Sequence, residues 1–387
     1  MSRRHTRRRL LRAIASTGLG GVAGCAGPAA LGDGDAPQST DRGSASLAPV
    51  DVRGALYVPA RAWNTFQMWH DYDEAVVERD LGYATEVNLN AVRTWVSYEQ
   101  YRRDPAALER AVDHFLATAD ERGIEVLFGL FESVGKEPTE EHLHDTDPVT
   151  APPVQSPASD VLVDEFRWDG PREYVRWFME RYGDDDRLLA VEVMNEPGWL
   201  DAMKNFAAGM FETMVDHRGS VPLTVGSTSM ANNAEYLDWG ADVLQLHYNF
   251  PDSEAAFHDL LPQALELGRD LDVPVYLSEW QRVADFGWDE SEVVDEPGPD
   301  YASLAPAIRE YGVGNFFWSL MVKPAYVRYM RERGIINGLF HEDGAVWSRE
   351  DARAIKAMSG EPDLDLEQRQ EWPDWAAEVK RDAFDDE

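Results

Sequence analysis

The chain of 387 residues has a single cysteine, Cys25, and five lysines, Lys136, Lys204, Lys323, Lys356 and Lys380. One thiol cannot close a disulfide within the chain, so a folded domain here must be held by its core. Positive charge is scarce as well: 36 basic residues stand against 71 acidic ones, a net charge of −35. A surface of that sign disfavours nucleic acid and anionic membranes as partners. The weakly apolar stretch from Ala13 to Ala23 is too short to cross a bilayer as a stable helix, which takes roughly 20 residues. No glycine-rich phosphate turn follows the first candidate strand, and neither a Ser-His-Asp order nor a cluster of metal ligands is present, so no cofactor or metal is expected. What is plentiful is apolar material. With 44% hydrophobic residues and 13 tryptophans the chain can build a sizeable core.

The first fifty residues read as addressing rather than fold. Thr6-Arg7-Arg8-Arg9-Leu10-Leu11-Arg12 resembles a twin-arginine export signal, and Val22-Ala23-Gly24-Cys25 resembles a lipobox, in which Cys25 would be lipidated and become the new N-terminus. The alternative is plain cleavage and release. Residues 26–50, rich in Ala, Gly, Asp, Ser and Pro, have the composition of a flexible tether. The expected organisation is a signal over 1–25, a tether over 26–50, one folded domain over 51–360 and an acidic tail over 361–387. The expected protein is extracellular and monomeric, touching the membrane only through the anchor. Its lysine-poor acidity resembles that of proteins from extreme halophiles, whose carboxylates hold hydrated cations while salt screens their repulsion.

From Asp51 onward short apolar runs alternate with longer amphipathic ones. Eight candidate strands run from Ala55 to Pro59, Ala91 to Trp95, Glu125 to Leu130, Ala190 to Met194, Leu223 to Gly226, Val243 to Leu246, Val275 to Leu277 and Asn315 to Trp318. Helical patterns follow them at Asp73 to Glu86, Pro105 to Arg122, Gly170 to Tyr182, Leu200 to Arg218, Glu235 to Trp239, Ser253 to Leu271, Asp300 to Tyr311 and Ser348 to Met358. Eight such units predict an α/β fold, a (β/α)8 TIM barrel, with its site at the C-terminal strand ends. A doubly wound open sheet is the alternative.

The strand ends gather polar and aromatic residues. Trp63 and Asn64 lie shortly after the first strand, Arg93 and Trp95 end the second, Asn195-Glu196-Pro197 follow the fourth, His247 and Tyr248 the sixth, Glu279 and Trp280 the seventh, and Trp318 the eighth. This set resembles the retaining glycoside hydrolases of clan A, and within it family 5, the cellulases and β-mannanases. The resemblance covers about residues 51–358, and Asn337 to Trp347, NGLFHEDGAVW, resembles the segment after strand eight in that superfamily. One departure is the end of the third strand. Family 5 members often carry a histidine there, where this chain has Leu127-Phe128-Gly129-Leu130-Phe131-Glu132.

The resemblance implies a division of labour for cleaving a β-linked polysaccharide or oligosaccharide, a mannan or a glucan. Glu196 would be the acid/base and Glu279 the nucleophile of a double displacement, which needs carboxyl groups about 5–5.5 Å apart. The acid is expected to have a raised pKa, while Arg93 and the Tyr248 hydroxyl keep Glu279 ionised. Asn195 would hold the sugar 2-hydroxyl, and Trp318 would form a platform beneath the sugar. His247 has three readings, a substrate contact, a support for Glu196 or a structural histidine; Trp63 is a weaker candidate for the sugar-binding set. The long segments Glu132 to Asp169, Arg282 to Pro299 and Val322 to Gly334 are expected to wall the cleft. Within the first, Glu141-His142-Leu143-His144-Asp145 has metal-like residue types without a ligand spacing and reads as a solvated loop. The competing class is a tethered carbohydrate-binding protein without turnover.

Overall fold

The structure, a computed structural model, describes residues 48–283 and 298–384. The export signal, the lipobox with Cys25, nearly all of the tether and most of the Arg282 to Pro299 segment lie outside the described residues. The strands are β1 (Arg53–Leu56), β2 (Ala91–Trp95), β3 (Glu125–Glu132), β4 (Leu188–Asn195), β5 (Leu223–Thr224), β6 (Leu244–Tyr248), β7 (Val275–Trp280) and β8 (Gly314–Phe317). They form one parallel sheet in the order β5-β4-β3-β2-β1-β8-β7-β6, with β1 paired to both β2 and β8. Between β5 and β6, Asp242 N donates to Leu223 O and His247 N to Ser227 O, each at 2.8 Å, and the Thr224 hydroxyl donates to Val243 O at 2.9 Å. The chain is a (β/α)8 barrel.

Each strand is followed by a helix that returns the chain to the N-terminal rim. These are α1 (Glu74–Glu86), α2 (Pro105–Asp120), α3 (Asp169–Tyr182), α4 (Asp201–Asp216), α5 (Asn233–Trp239), α6 (Glu254–Leu271), α7 (Ala305–Tyr311) and α8 (Arg349–Ala357). Several begin where a side chain caps the free backbone N–H groups: Asp73 for α1, Asp104 with Pro105 in the first turn for α2, Ser253 for α6 and Ser348 for α8. No helix among the described residues is long and apolar enough to cross a membrane.

Alternation along the strands sorts the apolar side chains into two cores. Val92, Val126, Phe128, Val191, Val193 and Leu277 belong to the large core between sheet and helices. Leu56, Ala91, Trp95, Leu127, Ala190 and Phe316 fill the barrel itself. Glycine makes room for the largest of these: a Cβ on Gly54 would lie 2.2 Å from the Phe316 ring, and one on Gly129 would lie 2.2 Å from Trp95 Cδ1. Above this plug the interior turns polar, with Arg93, Glu192, Thr224 and Gln245 all fully buried.

Two segments complete the C-terminal face. A short antiparallel pair, Lys323–Pro324 with Ile336–Asn337, frames the loop after β8. The acidic tail packs on the barrel. Val346 N donates to Glu367 O and Arg369 N to Val346 O, Arg369 pairs with Asp343, and the helix Ala377–Phe384 packs against Arg328–Glu332.

Candidate active site

β4 ends in a sharp turn. Glu196 adopts the left-handed conformation (φ 49°, ψ 46°), which costs a non-glycine residue about 1–2 kcal/mol, and Pro197 follows it. The turn puts the Glu196 side chain over the barrel mouth, where it lines a cleft of about 510 Å³ with Glu132, Asn195, His247, Asn249, Glu279 and Trp318. One oxygen of Glu196 and one of Glu279 lie within 4.8 Å of each other and of a His247 ring nitrogen.

Beneath the cleft Arg93 is the hub. Its Nε and Nη2 donate to the two oxygens of Glu192 (2.9 and 2.8 Å), Nη1 donates to Glu279 Oε1 (2.7 Å), and Nη2 also reaches Asn195 Oδ1 (2.8 Å). Burial alone would lower its pKa, but Glu192 and Glu279 outweigh that and raise it, so the guanidinium stays charged. Glu192 is held on its other side by Gln245 Nε2 (3.0 Å), which also reaches the Thr224 hydroxyl. Gly226 leaves the space this needs, since a Cβ there would lie 2.8 Å from Glu192 Oε1.

Glu279 receives its second hydrogen bond from Asn249 Nδ2 at 3.1 Å. The expectation for Tyr248 is corrected here. β7 carries a register shift after Leu277, so that Leu246 faces Leu277 but His247 faces Glu279. Among the described residues the donors to Glu279 are Arg93 and Asn249, while the Tyr248 ring lines the cleft and stacks on Phe257 at 5.7 Å.

His247 sits between the two glutamates, with Nδ1 2.6 Å from Glu196 Oε1 and 3.6 Å from Glu279 Oε2. Burial pushes the Glu196 carboxyl up, but the hydrogen bond and charge of His247, with Arg93 behind them, bring it below the ordinary carboxylate value. The expected raised pKa of Glu196 is thus not found; its short contact to His247 holds the carboxyl down. The opposite holds for Glu132, which the sequence reading passed over. Burial takes it up to about 8, and the charges of Glu196 and Glu279 add to the shift.

Trp318 lines the cleft with its ring 5.6 Å from Tyr326. Its carbonyl accepts from the Tyr301 hydroxyl at 2.5 Å, and the Tyr301 hydroxyl oxygen in turn accepts from Ser319 N and Gly338 N. Val322 to Gly334 does form a wall, through Tyr326, Val327, Tyr329 and Met330. Trp63 does not line the cleft. It is 1% exposed, covered by Arg331 at 4.3 Å, Lys323 at 4.9 Å and the edge of Trp375 at 6.3 Å. Glu141 to Asp145 folds as the helix Glu140–His144, tied down by Gln67 Nε2 to the Leu143 and Asp145 carbonyls. Among the described residues, the group that could embrace a metal ion is Glu196, His247 and Glu279 itself.

No family model and no curated protein matches the sequence. Solved structures do match. An exo-β-1,4-mannosidase from Opitutaceae bacterium strain TAV5 superimposes with a TM-score of 0.56 at 16% identity over 88% of this chain, which spans 63% of that one. A GH5_18 protein from Bifidobacterium longum subsp. longum, in complex with Manβ1-4GlcNAc, gives 0.56 at 14% identity, covering 82% of this chain and 80% of that one. An endo-β-1,4-mannanase from Thermotoga petrophila gives 0.53 at 12% identity, covering 82% and 77%. The chain shares the barrel fold of these enzymes. At such identities the likeness speaks for the fold, and the chemistry rests on the cleft.

Proposed function

We propose that the protein is a retaining β-glycoside hydrolase. The observation that carries this is the approach of the Glu196 and Glu279 oxygens to within 4.8 Å across the cleft floor. Inverting enzymes hold their carboxyls about 6.5–9.5 Å apart to admit a water, whereas double displacement needs about 5–5.5 Å. Glu279, bonded to Arg93 and Asn249, is held as the anion that attacks the anomeric carbon. Glu196 protonates the departing oxygen and then takes a proton from the incoming water. His247, with Nδ1 2.6 Å from Glu196 Oε1, fixes the position of that carboxyl over the cleft. Trp318 supplies an apolar face for the sugar ring.

The names of the similar structures support a β-linked mannose-containing oligosaccharide or polysaccharide as substrate, with β-glucan as the neighbouring choice. The motif at Thr6 to Arg12 and the Cys25 lipobox support export and anchoring at the outer face of the cell membrane. Lipid attached to Cys25, detected by mass spectrometry of protein from its native membrane, is the expected outcome; a soluble chain cleaved near Cys25 would replace the anchor with release.

Azide rescue tests the mechanism. In E279A, azide should attack from the vacated side and give a glycosyl azide of inverted configuration. In E196A it should intercept the covalent intermediate and give a retained product, with activated aryl glycosides suffering far less than substrates with poor leaving groups. Proton NMR of the products reads both. Exchanged outcomes would exchange the roles, and wild-type turnover in either variant would refute the mechanism. A sugar-binding protein without turnover would show no activity against mannan, β-glucan, xylan or aryl glycosides in molar salt.

A further inference from the structure

Glu132 is a third carboxyl in the cleft, and the proposed mechanism does not use it. β3 runs to Glu132 because its pairing with β4 continues to the end, Phe131 opposite Met194 and Glu132 opposite Asn195. The side chain is 7% exposed and lines the same cleft as Glu196 and Glu279. Its Oε1 accepts from Val134 N at 2.8 Å and from Asn195 Nδ2 at 3.0 Å; Oε2 has only the longer 3.2 Å contact to the same amide.

The Asn195 carboxamide is committed at both ends. Arg93 Nη2 donates to its Oδ1, which fixes the flip of the amide and turns Nδ2 onto Glu132. Whatever meets a sugar hydroxyl at this point of the cleft is therefore Asn195 and Glu132 together. We propose that Glu132 is a sugar-binding residue, whose Oε1 positions Asn195 and whose Oε2 hydroxyl donates to one hydroxyl of the sugar unit seated over Glu279. This rests on the glycosidase reading of the site.

The carboxyl has its proton at neutral pH, being held up to about 8 by burial and by its anionic neighbours. A protonated carboxyl with one oxygen already accepting two N–H groups places its proton on the other, so it is a donor aimed by default at the ligand. The titratable groups that face it are Glu196 at the end of β4, Glu279 on β7 and Tyr326 from the wall after β8. Ionisation above about pH 8 removes the donor and sets a third negative charge among them, so sugar binding should weaken there. The backbone of Glu132 exchanges hydrogen bonds with Ser156, an arrangement that any side chain preserves.

The test uses the full chain in molar salt, with E132A and E132Q assayed on an aryl β-glycoside and on its monodeoxy analogues. E132A should lose about tenfold or more in kcat/KM, mainly through KM. That loss should vanish on one analogue, the one lacking the contacted hydroxyl. E132Q, which keeps a donor and an acceptor of the same shape, should recover part of the activity and lack the fall in kcat/KM near pH 8 that wild type shows. A loss of equal size on every analogue would make Glu132 structural, and an E132Q profile with the wild-type fall would also overturn the proposal. Should wild type turn over glycosides while E132A matches it, only this inference fails; should wild type turn over none, the reading of the site fails with it.

Discussion

Arg93 has no exposed surface and makes four hydrogen bonds, three of them to carboxylates. Removing one partner from such a cluster leaves the others buried and uncompensated. Arg93→Met should therefore destabilise the fold by about 3–5 kcal/mol, read from denaturant melts, and abolish turnover. A loss below about 1 kcal/mol would mean that Glu192 and Glu279 find other partners. The Glu132 shift has its own signature in stability. Its folded pKa, about 8, lies above the value of about 4.3 for a free glutamate, so between these limits the native state binds the extra proton. That contribution to stability declines as pH rises through this window. E132Q should thus melt with a shallower decline from pH 5 to pH 8 than wild type. At this scale the sequence was legible wherever a polar group ended an apolar run, as at Asn195, Glu196, His247 and Glu279. It was opaque for Glu192 and Gln245, which sit inside runs that look apolar throughout. A strand buried on both faces gives no alternation from which an inward polar residue could be singled out.

Strands and helices fell close to the positions that periodicity and turn residues indicate. The helix starts were legible because Asp73, Asp104, Ser253 and Ser348 are caps with a local cause. Long-range effects were not. The register shift in β7, which substitutes Asn249 for Tyr248 beside Glu279, comes from how two strands pair. Burial of Trp63 depends on Lys323 and Arg331, more than 250 residues along the chain. A prediction for the strands concerns the fit of Gly129 to Trp95. Gly129→Ala would overlap the indole and should cost about 1–3 kcal/mol, with a change in Trp95 fluorescence; a neutral effect would mean that the ring can swing aside.

The chain of 387 residues carries −35 in all, and among the described residues the acidic tail folds back onto the barrel. Potassium or sodium chloride should raise its melting temperature, and removal of salt should lower it; a melting temperature indifferent to salt would defeat the comparison with halophilic proteins. The barrel is also unequally closed. β5 has two residues, and its junction with β6 rests on the bonds of Asp242, His247 and Thr224, against the continuous ladders elsewhere. A ring so joined has a staple where its other staves are glued. Breathing should concentrate at that staple, so the amide protons of Asp242 and His247 should exchange with deuterium before those of β2 and β3. His247 forms one side of it and Glu196, bonded through Gly226, the other. Each such opening would pull apart the contact between His247 and Glu196, and a ligand that bridges the cleft should slow exchange there first.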